Sequence, residues 1–338
     1  MKKRILFIMT GGTIASVQTA SGLTPMISPE ELISYLPEIR DFCTPQTYSL
    51  CSIDSTNMSA GIWLDLVRVI EENYSLYDGF IICHGTDTLA YTAAVLSYLI
   101  RNSRKPIILT GAQKPISFEI TDAKKNLRDS VLVATDYNSW GVMVVFDGSV
   151  IAGTRAKKVK SYSYDAFKSI NCPELAHVHD RSLVRYLPSP RPEDEVIFDY
   201  SLSDRVFLLK LTPAMPIEIL AAIYKQFDCL VVESFGVGGL PDPIADELDR
   251  LQKEDPTREC ILVMGTQVTY EGSNVETYRV GNGLKDRFHL LETHDMTLES
   301  VMAKLKWLLG KKDHSYETVK AGFYHPINYD TFHTQGIE

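Results

Sequence analysis

Paired cysteines are missing from this sequence. Its six cysteines stand at Cys43, Cys51, Cys83, Cys172, Cys229 and Cys260, and no two have CxxC spacing. A disulfide scaffold and a structural zinc site are therefore not expected. Cys83, Cys229 and Cys260 lie in or beside apolar runs and read as small core residues. A basic excess is missing too. Lys plus Arg number 34 against 43 Asp plus Glu, for a net charge of −9. That argues against a general binder of nucleic acid or of anionic membranes. Long apolar runs are also lacking. Lys2-Lys3-Arg4 resembles the start of a signal peptide, but only Ile5 to Met9 follow, and a secretory core needs about 7–15 apolar residues. Nothing approaches the roughly 20 of a membrane span. A soluble, cytoplasmic protein is expected. Internal repeats and low-complexity tracts are lacking as well.

What is there is globular. The chain has 338 residues, 45% apolar and 23% charged, and two domains are the default at roughly 100–200 residues each. Seven short apolar runs stand out, at 5–9, 79–83, 106–110, 142–146, 206–211, 229–235 and 260–264. They are too short for helices and end in turn residues, as strands buried on both faces do. A weaker strand candidate lies near 46–53. Helical patterns separate several of them. Residues 60–74 align Ile62, Leu66, Val69 and Ile70; residues 88–100 begin with a threonine; residues 297–309 carry an apolar stripe with Lys304 and Lys306 off it. The alternation predicts an α/β protein of two open α/β domains. The N-terminal one has a mostly parallel sheet with flanking helices, and the C-terminal one is smaller. Pro188-Ser189-Pro190-Arg191-Pro192, followed by Glu193, Asp194 and Glu195, reads as a linker. The expected boundaries are 1–187, a linker over 188–205, and 206–338.

Open α/β sheets bind ligands beyond the carboxyl ends of their strands. Three such ends are informative. Thr10-Gly11-Gly12-Thr13-Ile14-Ala15 follows the first run, His84-Gly85-Thr86-Asp87-Thr88 the second, and Gly111-Ala112-Gln113-Lys114-Pro115 the third. Glycine admits close backbone approach and leaves N–H groups free for an anion. The dinucleotide and P-loop fingerprints are both absent, here and at Gly236-Val237-Gly238-Gly239. A nicotinamide dehydrogenase is disfavoured accordingly. A hydroxyl beside a carboxylate, as in Thr86-Asp87, suits a nucleophile–base system. Thr86 and Thr88 equally suit a helix cap, and Asp87 suits a helix start on electrostatic grounds alone. The candidate bases are His84, Lys157, Lys158 and Lys160. His84 also reads as a core histidine, and Arg155 to Lys160 as a solvated basic face. His177-Val178-His179 places two rings on one strand face, but no third ligand is signalled and no metal is expected. His314, His325 and His333 fall in a polar tail and are expected at the surface.

The residues just quoted resemble the two signatures of the bacterial-type L-asparaginases. The resemblance continues through Asp54-Ser55-Thr56-Asn57-Met58, Thr110-Gly111-Ala112-Gln113, Asp165 to Asn171, Glu233 to Gly239 and Gly265-Thr266-Gln267. It covers nearly the whole chain in one order. The Asp-Ser-Thr triplet and the lack of a secretory segment resemble the cytoplasmic, type I branch. The resemblance implies hydrolysis of L-asparagine to L-aspartate and ammonia without a cofactor. It implies Thr13 as the nucleophile, forming an acyl-enzyme, and Thr86, Asp87 and Lys158 as the supporting triad. Lys158 takes that role because it stands seven residues before Asp165-Ala166-Phe167. Ser55 and Thr56, next to Asp54, are implied for the substrate α-carboxylate, and Asp87 for the α-ammonium. The Ala112 carbonyl is implied beside the leaving amide, with Gly12 and Gly85 lending loop N–H groups. A homodimer or homotetramer is implied, the neighbouring C-terminal domain completing each site. One departure stands out. Many members carry a tyrosine in the loop after the first signature, and here the aligned position is Leu23, within a Ser16–Ser28 loop expected to close as a lid. Thr24 or a water are the candidate replacements.

Two alternatives stay open at this point, and a third is disfavoured. A glutamine-preferring amidohydrolase differs by one methylene, worth only about 1–3 kcal/mol of discrimination. A non-catalytic amino-acid sensor would need Ser55 and Asp87 but not Thr13, Thr86 and Lys158 together. The amidase subunit of a tRNA-dependent amidotransferase carries a further domain ahead of the first signature, and the signature here begins at residue 10.

Overall fold

In the computed structural model, residues 2–20, 22–188, 190–277 and 283–333 are described. They form two compact units, Met1–Tyr200 and Ser201–Glu338. The first is built on an eight-stranded sheet. Its spatial order is Ser182–Arg185, Ala176–His179, Ser149–Ala152, Gly141–Phe146, Pro106–Thr110, Gly79–Cys83, Lys3–Gly11, Cys43–Ile53. The last five named pair in parallel, and the first three add on antiparallel. Four of the seven apolar runs supply central parallel strands here. The Gly79–Cys83 and Pro106–Thr110 strands are buried at every residue, as a sheet covered on both faces requires.

Within the parallel part, chain order reads 2-1-3-4-5 across the sheet. The connection from the first strand goes one way, to Cys43–Ile53, and the next returns to the other side, at Gly79–Cys83. The ends of Lys3–Gly11 and Gly79–Cys83 thus flank a topological switch point, where the departing loops diverge and leave a crevice.

The helices Ala60–Asn73 and Leu89–Leu99 stand where helical patterns were expected, and the second is buried at every residue but Tyr91. Helix Ala123–Thr135 was not anticipated; its sequence is too polar to show a stripe, yet it buries Leu127, Val131 and Val133 together with Asn126, Asp129 and Ser130. Residues after Ser16 fold back as a short hairpin, Ser16–Thr19 against Gly22–Pro25, pairing Gln18 with Leu23. Leu23 is exposed, and the Thr24 hydroxyl meets that of Thr19 at 3.3 Å; Ser21 at its tip lies outside the described residues.

The proline-rich stretch is held against the first unit. Arg104 Nε donates to the Pro192 carbonyl at 2.9 Å, Asp199 N donates to Leu99 O at 2.8 Å, and Ile197–Phe198 pairs with Ile100–Arg101. Ser189 lies outside the described residues.

The second unit has a four-stranded, all-parallel sheet in the order Val206–Lys210, Cys229–Ser234, Ile261–Thr266, Leu290–Glu292. Its core includes Leu220, Leu230, Val232, Leu248 and Met264. Two expectations need correcting here. Lys304 is not off the buried face of its helix Leu298–Leu309. It is fully buried, because its ammonium finds Asp330 at 2.6 Å and the His325 carbonyl at 2.7 Å. His333 is not a surface residue either; it is half-buried, with its ring stacked on His294 at 3.7 Å. His314 and His325 are exposed.

Candidate active site

The site grows from the strand ends at the switch point, which are stitched to one another. Thr10 Oγ1 donates to Cys83 O at 3.1 Å, Gly12 N to Ile53 O at 2.9 Å, and His84 N to Thr110 O at 2.8 Å. Each loop therefore starts from a fixed point. Gly12 then turns the chain with φ 75° and ψ −179°, a conformation essentially confined to glycine. A one-turn 3₁₀ helix, Thr13–Ala15, follows, with Thr13 half-buried. Gly12 and Gly85 nearly touch. A Cβ on Gly12 would lie 2.4 Å from Gly85 Cα, and one on Gly85 would lie 2.6 Å from Ser55 Oγ. The backbones bearing Thr13, Thr86 and Ser55 thus meet at one place because two residues there have no side chain.

Thr86 is buried and Asp87 exposed at the end of the Gly79–Cys83 strand. Lys158 reaches them from a separate hairpin, Ala156–Lys158 paired with Phe167–Ser169. Its ammonium donates to Thr86 Oγ1 at 2.8 Å and to Asp87 Oδ1 at 2.6 Å. Its side chain is only 18% exposed. Lys157 projects from the opposite face of the same strand, as alternation requires. Lys160 is paired with Asp165 at 2.6 Å. Of the four candidate bases, Lys158 is the one bonded to Thr86.

His84 is corrected as a base candidate. Its ring is fully buried, with Nδ1 2.7 Å from the Gly85 carbonyl and Nε2 2.9 Å from Thr92 Oγ1. Burial pushes its pKa down to about 4. The basic segment is likewise not a wholly solvated face, since Arg155 is fully buried and Lys157 and Lys158 are half-buried.

Ser55 is buried, and Thr88 Oγ1 donates to its carbonyl at 2.8 Å. Thr88 stands at the helix N-terminus without a side-chain capping bond. Asp54 caps the short Ser55–Asn57 turn, accepting from both the N–H and the hydroxyl of Thr56 at 2.9 Å. The polar groups of Thr56 are thus engaged locally. Ala112 is fully buried in the loop after Pro106–Thr110.

That loop holds what sequence reading missed. Gln113 Oε1 accepts from Thr86 Oγ1 at 3.3 Å, while its amide nitrogen donates to Ser163 O at 3.2 Å. The loop is propped from the unanticipated helix. Asp122 accepts from the N–H groups of Gln113 and Lys114 at 2.9 and 3.0 Å, and Asn126 Nδ2 donates to Gly111 O at 2.9 Å. Burial raises the Asp122 pKa, against the pull of those backbone donors. The available signal was weak: a polar residue three positions beyond the third strand end.

The arrangement presents one hydroxyl, Thr86, receiving a bond from an ammonium and giving one to an amide, beside a second hydroxyl-bearing loop. That is equipment for moving a proton near a nucleophile. Among the described residues no group of three or more His, Cys, Asp or Glu side chains is placed to hold a metal. His177 instead pairs with Glu174 at 3.2 Å. No described helix is long and apolar enough to cross a membrane.

Comparison with known proteins is consistent over the length of the chain. Residues 4–190 match the family model "Asparaginase, N-terminal", and residues 205–323 match "Glutaminase/Asparaginase C-terminal domain". An L-asparaginase of Thermococcus kodakarensis is 36% identical over 91% of this chain and 93% of its own. L-asparaginase 1 of Escherichia coli K12 is 32% identical over 92% and 93%. A glutamyl-tRNA(Gln) amidotransferase polypeptide of Methanobrevibacter smithii is also 32% identical, over 94% of this chain and 75% of its own. Among solved structures, the thermostable L-asparaginase of T. kodakarensis superposes with a TM-score of 0.89, covering 97% of this chain and 98% of that one at 32% identity.

Proposed function

The chain belongs to the asparaginase family, and from that premise we propose that it hydrolyses L-asparagine to L-aspartate and ammonia through an acyl ester on Thr13. The observation that carries the reading is the Lys158 ammonium bonded to both Thr86 Oγ1 and Asp87 Oδ1. With Lys158 unprotonated at the start, Thr13 Oγ1 gives its proton toward Thr86 and Lys158 as it attacks the side-chain carboxamide carbon. The oxyanion is met by N–H groups of the Gly12 and Gly85 loops, each such donor being worth about 10²–10³ in rate. The leaving nitrogen takes a proton and departs as ammonia, and Thr13 is left esterified. Water then attacks the ester, loses its proton toward Thr86 and Lys158, and releases aspartate with Thr13 restored. Lys158 serves Thr86 as a histidine serves a serine hydrolase. Its ammonium form is the stage at which a proton is ready for the leaving group.

Ser55 receives the substrate α-carboxylate, and Asp87 keeps Oδ2 for the α-ammonium. Thr56 supports that pocket through Asp54. The Ala112 carbonyl faces the leaving amide. With no tyrosine at Leu23, the hairpin acts by excluding water. A homodimer, or a dimer of such dimers, completes each site from the neighbouring C-terminal unit, and the reaction runs in the cytoplasm without a cofactor. L-glutamine is the weaker substrate.

The 32% identity to the M. smithii amidotransferase polypeptide supports a second reading, an amide hydrolase acting within a larger RNA-directed assembly. The net charge of −9 weighs against an RNA-binding surface on this chain. Ammonia release by the purified chain alone, with L-asparagine and L-glutamine titrated separately, decides between them. Fast release from asparagine is expected, with a loss of at least about 10³-fold in Thr13→Ala and in Thr86→Val. Most activity surviving in Thr13→Ala would remove it as nucleophile. No release from either amino acid, with asparagine still raising the melting temperature, would make the chain a sensor.

A further inference from the structure

Behind the site, three side chains from three elements form a one-way chain of hydrogen bonds. Trp63 comes from helix Ala60–Asn73, Thr92 from helix Leu89–Leu99, and His84 from the end of strand Gly79–Cys83. An indole N–H can only donate, so Thr92 Oγ1 accepts from Trp63 Nε1 at 2.9 Å. The Thr92 proton is then free to point at His84 Nε2, also at 2.9 Å. With Nε2 accepting, the ring proton sits on Nδ1 and donates to the Gly85 carbonyl at 2.7 Å. The Gly85 carbonyl can only accept, so that bond fixes the neutral ring as the Nδ1–H tautomer, with Thr92 donating to Nε2 and Trp63 holding the Thr92 hydroxyl in place. Thr92 and His84 are fully buried, so water does not compete for these bonds.

The terminus of the chain is the peptide joining Gly85 to Thr86. Gly85 has no side chain to hold its plane, and its Cα is pressed between Gly12 and Ser55. All described peptide bonds are trans, so the Thr86 N–H points opposite to the Gly85 carbonyl, away from the imidazole. Whatever fixes the carbonyl also fixes that N–H and the root of the Thr86 side chain.

We propose that His84 is a positioning residue: as the Nδ1–H tautomer, its ring held in place by Thr92 and Trp63, it locks the Gly85–Thr86 peptide so that Thr86 meets Lys158 with its N–H free for the substrate. The inference rests on the reading of Thr86 as part of the catalytic machinery. An asparagine side chain can place its amide N–H where Nδ1–H stands, whereas leucine fills the space without donating. His84→Leu is expected to lower kcat about 10²-fold, the scale of a 1 Å misplacement, with KM for asparagine changed less than about threefold. His84→Asn should restore most of kcat. Thr92→Val should lower kcat about tenfold, and Thr92→Ser should restore it.

¹⁵N-histidine NMR reads the tautomer directly. One imidazole should be Nδ1-protonated at neutral pH in the wild type and keep that tautomer in Thr92→Val, with its bare Nε2 resonance shifted by loss of the Thr92 donor. A wild-type Nε2–H tautomer, or full kcat in both His84→Leu and Thr92→Val, would overturn the proposal. Should His84→Leu not fold, the Thr92 pair and the NMR signature still decide it. Thr86→Val, run alongside, separates the two levels. Activity in Thr86→Val sinks the site reading itself, while its loss beside fully active His84 and Thr92 variants sinks only the role of His84.

Discussion

Gly12→Ala tests whether the two signature loops are truly in contact. The added methyl would meet Gly85 Cα at 2.4 Å, Gly85 N at 2.5 Å and the His84 carbonyl carbon at 3.0 Å, all of them backbone atoms. No rotamer change relieves that clash. Overpacking of this kind costs about 1–3 kcal/mol, and a non-glycine residue at such a φ costs about 1–3 kcal/mol more. Gly141→Ala is the matched control. It lies in the same unit with the same φ of 75°, but a Cβ there meets nothing within 4 Å. Only the backbone cost of about 1–3 kcal/mol applies to it. Urea unfolding followed by circular dichroism should place Gly12→Ala about 2 kcal/mol below Gly141→Ala, the gap being the overpacking alone. Ammonia release should fall about 10²-fold in Gly12→Ala, because the Thr13 and Thr86 loops are pushed apart, and stay near wild type in Gly141→Ala. Equal stability of the two variants, or full activity in Gly12→Ala, would refute the close approach of the loops.

Three further outcomes are expected. Lys158→Met should abolish ammonia release while Lys157→Met remains mild; the reverse result moves the base by one residue. Lys304→Met strands the buried Asp330 carboxylate and should cost about 3–5 kcal/mol in urea unfolding, with Lys304→Met/Asp330→Leu recovering most of it; a single-variant cost below about 1 kcal/mol would show that water reaches the pair. Burial holds the His84 pKa at about 4 in the folded protein against an ordinary 6.5, so its stabilising effect is complete above about pH 6.5 and is lost as the pH falls toward 4. The amount is about 3 kcal/mol, and unfolding free energies measured across that window should flatten by it in His84→Asn.

Much of the first unit was legible because its information is local. Buried parallel strands need unbroken apolar runs, and those at 5–9, 79–83 and 106–110 are short, apolar and ended by turn residues. Their ends pointed to the loops of Thr13, Thr86 and Ala112. Helix Ala123–Thr135 was not legible for the converse reason. Its buried face includes Asn126, Asp129 and Ser130, which a hydrophobic pattern scores as solvent. Lys304 and His333 misled in the same way. A lysine reads as exposed until its partner is known, and Asp330 lies 26 residues away.

The same distinction explains why the catalytic candidates were easier to find than the residues holding them. A nucleophile loop must follow a strand, so Thr13 and Thr86 are tied to recognisable neighbours. Their supports carry no such tie. Asp122 braces Gln113 from nine residues on, and Thr92 braces His84 from eight, each through a side chain whose chemistry suits many roles. Gln113 and His84 approach Thr86 from opposite ends, one at its hydroxyl and the other through the peptide before it. Thr86 is thus constrained at both its proton and its backbone before Lys158 arrives from a distant hairpin. Under the proposed mechanism, a hydroxyl held that way would lose little entropy on transferring a proton, and a threonine would suit that place better than a more mobile serine.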